Sequence, residues 1–474
     1  MKALLVRLGQ FSIGSLGSAL LNLILIPITT YFLTPTEYGK TSMFFLAQTF
    51  LMYVIYLGFD QAYTREFHAY KNKQRLLQNA MLIPLSYSLL LILTIILFSS
   101  YVSEWLFASP RYQHAIYLLA LSILFMIFER FILLKSRMEN RAVTFSFYSI
   151  LVKFTILLGT IIALWIGSAS FITVVYGMLF GQILGDLLLI VLNIQIFQVK
   201  SFRIDFALLE KMAHFALPIV VATFLYSLFI IVDKLFLRYF GDFADLGLYT
   251  AAFKVASALM IIQVSFANFW IPTAYEWYEK KKPLFYYKNI SDMVMFIVAV
   301  LFLIMMLFKK WIVLILSPEY TEAQYIFPML CFYPLMMTVG ETTGLGIAFQ
   351  KKSHLNIVIS CIGLVVSLSL NFLLVPTFGA LGAAIATGTV YIVHFLLRTF
   401  FSMLVWQGFP IKKHFIVTFL LYVIALSTIF IRSAVVNTLT ILLSLFLITG
   451  LYSLQIRQLY QFIKREKNND LEIS

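Results

Sequence analysis

The chain has 474 residues, 61% of them hydrophobic and 12% charged, with a formal net charge of +14. A soluble domain carries about a quarter charged residues and lacks repeated apolar runs of about 20, so this composition excludes a soluble enzyme and implies a polytopic membrane protein. The basic excess would suggest nucleic acid in a soluble chain, but here it sits in loops, and no nucleic-acid partner is expected.

In chain order, the first apolar run (10–33) follows Lys2 and Arg7 and lacks a small-residue cleavage site, so it is expected to stay as a span. Five more spans are expected at 41–62, 80–100, 115–134, 145–166 and 171–194. A charged amphipathic stretch, 200–214, reads as a cytoplasmic linker. Six further spans follow at 215–237, 246–271, 291–308, 323–349, 355–375 and 380–403, and two more at 414–431 and 438–456 close the chain. The expected fold is therefore all-α with about fourteen transmembrane helices. It divides into an N-lobe (1–199), the linker, a C-lobe (215–411), and a final helix pair with its tail (412–474).

The pattern Ser-Pro-x-Tyr-x-x-Ala-x-Tyr occurs at 109–117 and again at 317–325, an offset of 208 that also relates Gly39 to Gly247. Each copy holds six spans, an even number, so both enter the membrane in the same orientation. Such repeats are related by an axis along the membrane normal, with a substrate path expected between them near the midplane. Alternate loops hold 24 of the 35 Lys and Arg residues and the opposite loops only six, which predicts cytoplasmic termini. Lys309 and Lys310 break this pattern and are assigned to the outer interface.

No Gly-rich phosphate loop, His-Glu-x-x-His run or nucleophile elbow is present, and the six histidines are scattered. Cys331 and Cys361 lie inside spans, against a disulfide or thiolate metal site. No catalytic residue, metal or cofactor is expected, and a chain of this build moves something rather than makes something.

A charge at the bilayer centre costs roughly 2.5–3.5 kcal/mol on insertion scales, so each one needs a partner or a wet cavity. Lys153 and Asp186 lie at similar depth in one hairpin, and Asp233 and Lys254 straddle the next turn. These are either structural ion pairs or cations facing a cleft that attracts an anionic headgroup. Lys234 and Arg238 share a helix face, while Arg130 and Arg398 fall near inner ends where snorkelling is expected. Glu341 lies in a flexible run, Gly340 to Gly346, with no basic residue opposite it in its hairpin. It reads as a proton or cation site, or as the partner of a cation from another helix. Pro27, Pro218, Pro272, Pro328 and Pro334 are expected to interrupt spans.

Leu33-Thr34-Pro35-Thr36-Glu37-Tyr38-Gly39 resembles the start of the second span in polysaccharide transporters, and Gly58-Phe59-Asp60-Gln61-Ala62-Tyr63-Thr64-Arg65 resembles its end. Leu217-Pro218, Asp233-Lys234, the Gly247–Ala252 run (247–252) and the Asn371-to-Ala384 run (371–384) are similar to later segments. The family is the Wzx-type oligosaccharide flippases, in the superfamily that also contains the MATE exporters. The resemblance implies a bacterial inner-membrane protein with two six-helix lobes in a V plus two peripheral helices. It implies transfer of undecaprenyl-pyrophosphate-linked oligosaccharide to the outer leaflet, with membrane lipids, a polysaccharide polymerase and a chain-length regulator as partners. By position, Arg65 and Lys254, then Lys153 and Lys234, are the substrate-binding cations. Glu341, Asp186, Asp233 and Asp60 are candidates for H+ or Na+ coupling or for structural pairing. A MATE-like exporter of cationic drugs, and a membrane polymerase or glycosyltransferase, are the alternatives.

Overall fold

The computed structural model describes residues 2–197, 203–431, 433–453 and 455. Lys200, Arg432, Arg457, Lys464, Arg465 and Lys467, which enter the orientation argument, lie outside them. The described residues form helices and contain no strand, as expected where lipid cannot hydrogen-bond the backbone. The chain divides into two compact units, 1–250 and 251–474.

The first unit holds α1 (Lys2–Phe32), α2 (Pro35–Ile55), α3 (Phe59–Glu66), α4 (Lys73–Leu97), α5 (Ser99–Phe107), α6 (Gln113–Met138), α7 (Ala142–Ile166), α8 (Phe171–Leu192) and α9 (Phe206–Phe240). It also holds the first half of α10 (Phe243–Ser257). Polar caps start several of these helices: Asn72 Oδ1 accepts from the Arg75 N–H at 3.0 Å, and Asp205 Oδ1 from the Leu208 N–H at 3.1 Å. Gly177, Gly181 and Gly185 form a stripe on α8 that lies against the backbone of α7 at Val152, Thr155, Ile156 and Gly159. Small residues of this kind let membrane helices approach closely. Gly14 of α1 fits against Ser146 of α7 and donates its N–H to Ser146 Oγ at 3.1 Å.

The expected span 41–62 is not one straight helix. It breaks between α2 and α3 with a 47° bend, because Leu57 (φ 46°) and Gly58 (φ 73°) adopt left-handed backbone. A side chain at Gly58 would also meet the Ala216 carbonyl of α9. The expected linker is short as well: of its residues, 200–202 lie outside the described set, and α9 starts at Phe206. This helix packs on α2, α3 and α4, which is why the first unit extends past the linker.

The two glycines related by the 208-residue offset meet. A Cβ at Gly39 would strike the Phe243 carbonyl, and a Cβ at Gly247 would strike that of Pro35. Pro35 and Phe243 are themselves 208 apart, so the contact is reciprocal between copies of the repeated segment.

The second unit holds the rest of α10, then α11 (Met260–Glu279), α12 (Leu284–Val313), α13 (Ala323–Leu330), α14 (Phe332–Thr343), α15 (Leu345–Phe349), α16 (His354–Val405), α17 (Lys412–Phe430) and α18 (Ala434–Leu451). The expected span 323–349 is divided among α13, α14 and α15. The spans at 355–375 and 380–403 fall within α16, broken only at Gly379 (φ 54°, ψ −130°), where the turn was expected. Pro27, Pro218 and Pro272 lie inside α1, α9 and α11 without ending them. Eleven helical stretches among the described residues are long and apolar enough to cross a membrane, or twelve with the bent α2–α3 pair. Counting α16 as two and α13–α15 as one broken span accounts for the expected fourteen.

Candidate functional site: buried charges in each unit

In the first unit, the short α3 points its last two residues in opposite directions. Glu66 is buried and accepts from Lys211 Nζ of α9 at 2.5 Å. Arg65 is exposed, its guanidinium 4.2 Å from the centre of the Phe215 ring, and it makes no ion pair among the described residues. Stacking on an aromatic face orients a guanidinium while leaving its N–H edge for another partner.

Arg130 does not simply snorkel. From α6 it reaches Asp60 Oδ2 of α3 through Nη2 at 2.7 Å and Nε at 3.2 Å. The carboxylate is 6% exposed and needs such a partner.

Asp186 is fully buried, and of the two readings for it the ion pair with Lys153 is not formed within 4 Å. Instead Gln182, one turn earlier on α8, donates Nε2 to both Asp186 oxygens at 3.0 and 3.1 Å and to Glu129 Oε2 of α6 at 3.0 Å. The geometry explains the change: Gln182 and Asp186 share the face of α8 that packs on α6, so the carboxylate meets Glu129 there. Lys153 stays on α7, half-buried. Glu129 is not among the residues that the sequence singled out.

Asp233 of α9 accepts from the buried Tyr249 hydroxyl of α10 at 2.9 Å. Lys234 beside it is half-buried. Arg238, one turn on, donates Nε to the Trp105 carbonyl at 2.9 Å and lies over Phe243 at 4.7 Å.

In the second unit, Glu341 is buried on α14 and its carboxylate is engaged on both oxygens. Gln263 of α11 donates to Oε1 at 3.0 Å, and Arg398 of α16 reaches Oε1 at 3.4 Å and Oε2 at 3.2 Å. Trp270 Nε1 donates to the Glu341 carbonyl at 3.2 Å. Arg398 therefore belongs to an ion pair, not to the interface, and Glu341 takes its cation from another helix. Lys254 is half-buried in the second half of α10, and His394 half-buried on α16. Lys309, one of the two lysines that broke the loop pattern, caps the end of α17, its Nζ 3.4 Å from the Thr428 carbonyl.

Among the described residues no group of three or more His, Cys, Asp or Glu side chains could hold a metal ion. The buried carboxylates Asp60, Asp186, Asp233 and Glu341 are met by guanidinium, amide or phenol groups, and Glu66 by the Lys211 ammonium. Long apolar helices with charges neutralised inside them are the build of a polytopic membrane protein.

Known structures agree. The lipid II flippase MurJ in its inward closed conformation superposes with a TM-score of 0.68 at 15% identity, over 94% of this chain and 99% of that one. An inward-facing multidrug resistance MATE transporter of the MOP superfamily gives 0.61 at 13% identity, over 84% and 97%. A MOP superfamily transporter from Pyrococcus furiosus, described as having a binding pocket of reverse polarity, gives 0.54 at 15% identity, over 84% and 94%. At these identities the likeness establishes the fold alone, an all-α membrane fold that this chain shares with the MurJ flippase and with MATE transporters. No curated protein sequence matches. Residues 9–277, more than half of the chain, match the family described as polysaccharide biosynthesis protein, and the chain belongs to that family.

Proposed function

We propose that this protein is a flippase that moves undecaprenyl-pyrophosphate-linked oligosaccharide units from the cytoplasmic to the outer leaflet of a bacterial inner membrane. The units would serve O-antigen, capsule or exopolysaccharide assembly. The family match carries this reading, because the fold alone is shared with drug exporters. The likeness to a lipid II flippase supports a lipid-linked substrate. Both termini lie in the cytoplasm in this reading, and a polymerase and chain-length regulator act on the delivered product.

A pyrophosphate loses much of its hydration on entering hydrocarbon, so a basic, hydrated passage must replace it. Arg65 is the leading cation, since its fork of donors suits phosphate and no carboxylate occupies it. Lys254, Lys153 and Lys234 support it, and rocking of the two repeats exposes the headgroup to one side at a time.

Glu341 and Asp60 are each held by a guanidinium, which argues against either as the coupling group. The reading assigns H+ or Na+ coupling to Asp186 with Glu129, a buried and a half-buried carboxylate that share a single neutral amide. Asp233 keeps a structural role with Tyr249.

Leaflet-specific labelling in a deletion strain tests the function: lipid-linked oligosaccharide should accumulate on the cytoplasmic side. Accumulation on the outer side would assign the chain to a later, polymerising step.

A further inference from the structure

Ser291 and Asp292 of α12, Thr342 of α14 and His414 of α17 meet in the second unit, and the transport reading uses none of them. All four are essentially inaccessible to solvent. Their hydrogen positions follow from counting donors. Thr342 Oγ1 lies 2.7 Å from the Val339 carbonyl, which can only accept, so its one proton goes there. Ser291 Oγ lies 2.7 Å from Thr342 Oγ1 and must donate to it. His414 Nε2 is 2.9 Å from Ser291 Oγ and 3.2 Å from the Ser291 carbonyl, both of which now accept, so Nε2 carries a proton.

The other ring nitrogen, Nδ1, faces Asp292 Oδ1 at 3.8 Å, and neither atom has a hydrogen-bond partner. The second carboxylate oxygen is occupied: Oδ2 accepts from Lys288 Nζ and from Gln455 Nε2, each at 3.0 Å. In a neutral ring, Nδ1 would aim an unshared pair at a carboxylate where no water can reach. One proton on Nδ1 converts that repulsion into an ion-pair attraction across the 3.8 Å gap.

We propose that His414 and Asp292 form a buried proton-binding site that fastens the α17–α18 helix pair to α12. The charged and titratable groups around it are few. Lys288 comes from α12 and Lys413 from α17, the latter donating to the Leu451 carbonyl at 2.8 Å and lying over the Tyr452 ring at 5.1 Å. Tyr452 and Gln455 follow α18. From α14 only neutral Thr342 faces the site, Glu341 being engaged by Arg398. Asp292 is the single anion of this set and two lysines oppose it, so the proton is held but releasable. Its loss would remove the ionic link between α17 and α12 and leave the Nε2–H contacts to Ser291, the Gln455–Asp292 bond and the Lys413 and Lys309 caps.

Two measurements on the full chain in lipid nanodiscs test this. With 15N-labelled histidine, one ring should carry protons on both nitrogens at neutral pH, and that signal should vanish in His414→Gln. A His414 ring with bare Nδ1 throughout the folded pH range would overturn the site. Amide exchange at residues 412–418, corrected for its intrinsic rate, should quicken by up to about tenfold per pH unit while the folded state still holds the proton that the opened state has released, and level off once the folded state has lost it too. In Asp292→Asn the side-chain amide supplies the missing donor, so α17 should stay protected with no pH response. A response of wild-type size in Asp292→Asn would sink the proposal, and this comparison decides even if His414→Gln does not fold.

Discussion

Replacing Gly181 by alanine tests how the first unit is built. In an isolated helix, Gly→Ala stabilises by about 0.8–1 kcal/mol. On α8 the new Cβ would lie 2.7 Å from Ile156 Cα and 2.9 Å from the Thr155 carbonyl carbon, both backbone atoms of α7 that cannot rotate away. Carbon atoms pack at about 3.5–4.0 Å, so α7 and α8 must separate by roughly 0.8 Å or more at this level. A gap of that size forfeits a quarter to a half of the dispersion energy along the contact. Overpacking of this kind costs about 1–3 kcal/mol, enough to cancel or exceed the helix gain. Gly450 on α18 is the control, with nothing within 4 Å of its added Cβ. The assay is thermal inactivation of the full chain in one detergent, read as a rate because large membrane proteins seldom unfold reversibly. Gly181→Ala should inactivate faster than wild type and Gly450→Ala no faster. Equal stability of the two variants would refute the claim that backbone contact sets the α7–α8 spacing.

Arg398→Ala should destabilise by an amount toward the lower end of about 3–5 kcal/mol, since it strands buried Glu341, while adding Glu341→Gln should recover part of the loss; detergent-titration unfolding measures both. Arg65→Ala should weaken transport of lipid-linked oligosaccharide in proteoliposomes more than Arg65→Lys, with thermal stability nearly unchanged because the side chain is exposed. The Tyr70 hydroxyl, 2.8 Å away, holds the Asp205 carboxyl below its usual range, helped by the Leu208 N–H and by Arg75. A lowered carboxylate value stabilises the start of α9 above the unfolded value, and that stability is lost as pH falls through the folded one. Tyr70→Phe should therefore move the acid fraying of residues 206–209 to higher pH, followed by amide exchange.

The repeated Ser-Pro motif shows why so much of the fold was legible. In both copies an extended Ser leads into a 3-10 turn begun by proline, and then into a buried helix. The apolar runs and Gly379 were legible for the same reason, since lipid forces helices and a sharp reversal needs left-handed backbone. The broken helices were less so. Leu57 has no composition signal for its conformation, which is imposed by α3 fitting beneath α9. Partners of buried charges were least visible. Depth along a hairpin paired Lys153 with Asp186, whereas the side chains meet across α6 and α8, a relation set by packing rather than spacing. Ser291 is only the first residue of the expected 291–308 span, and yet it is fully buried against His414.

The mutual seating of Gly39 on Phe243 and Gly247 on Pro35 locks two copies of one segment together by stereochemistry alone. The same backbone approach is made twice, each glycine lying against a carbonyl from the other copy of the segment. Neither glycine can therefore gain a side chain without pushing the opposing backbone away, and one substitution would loosen both halves of the junction.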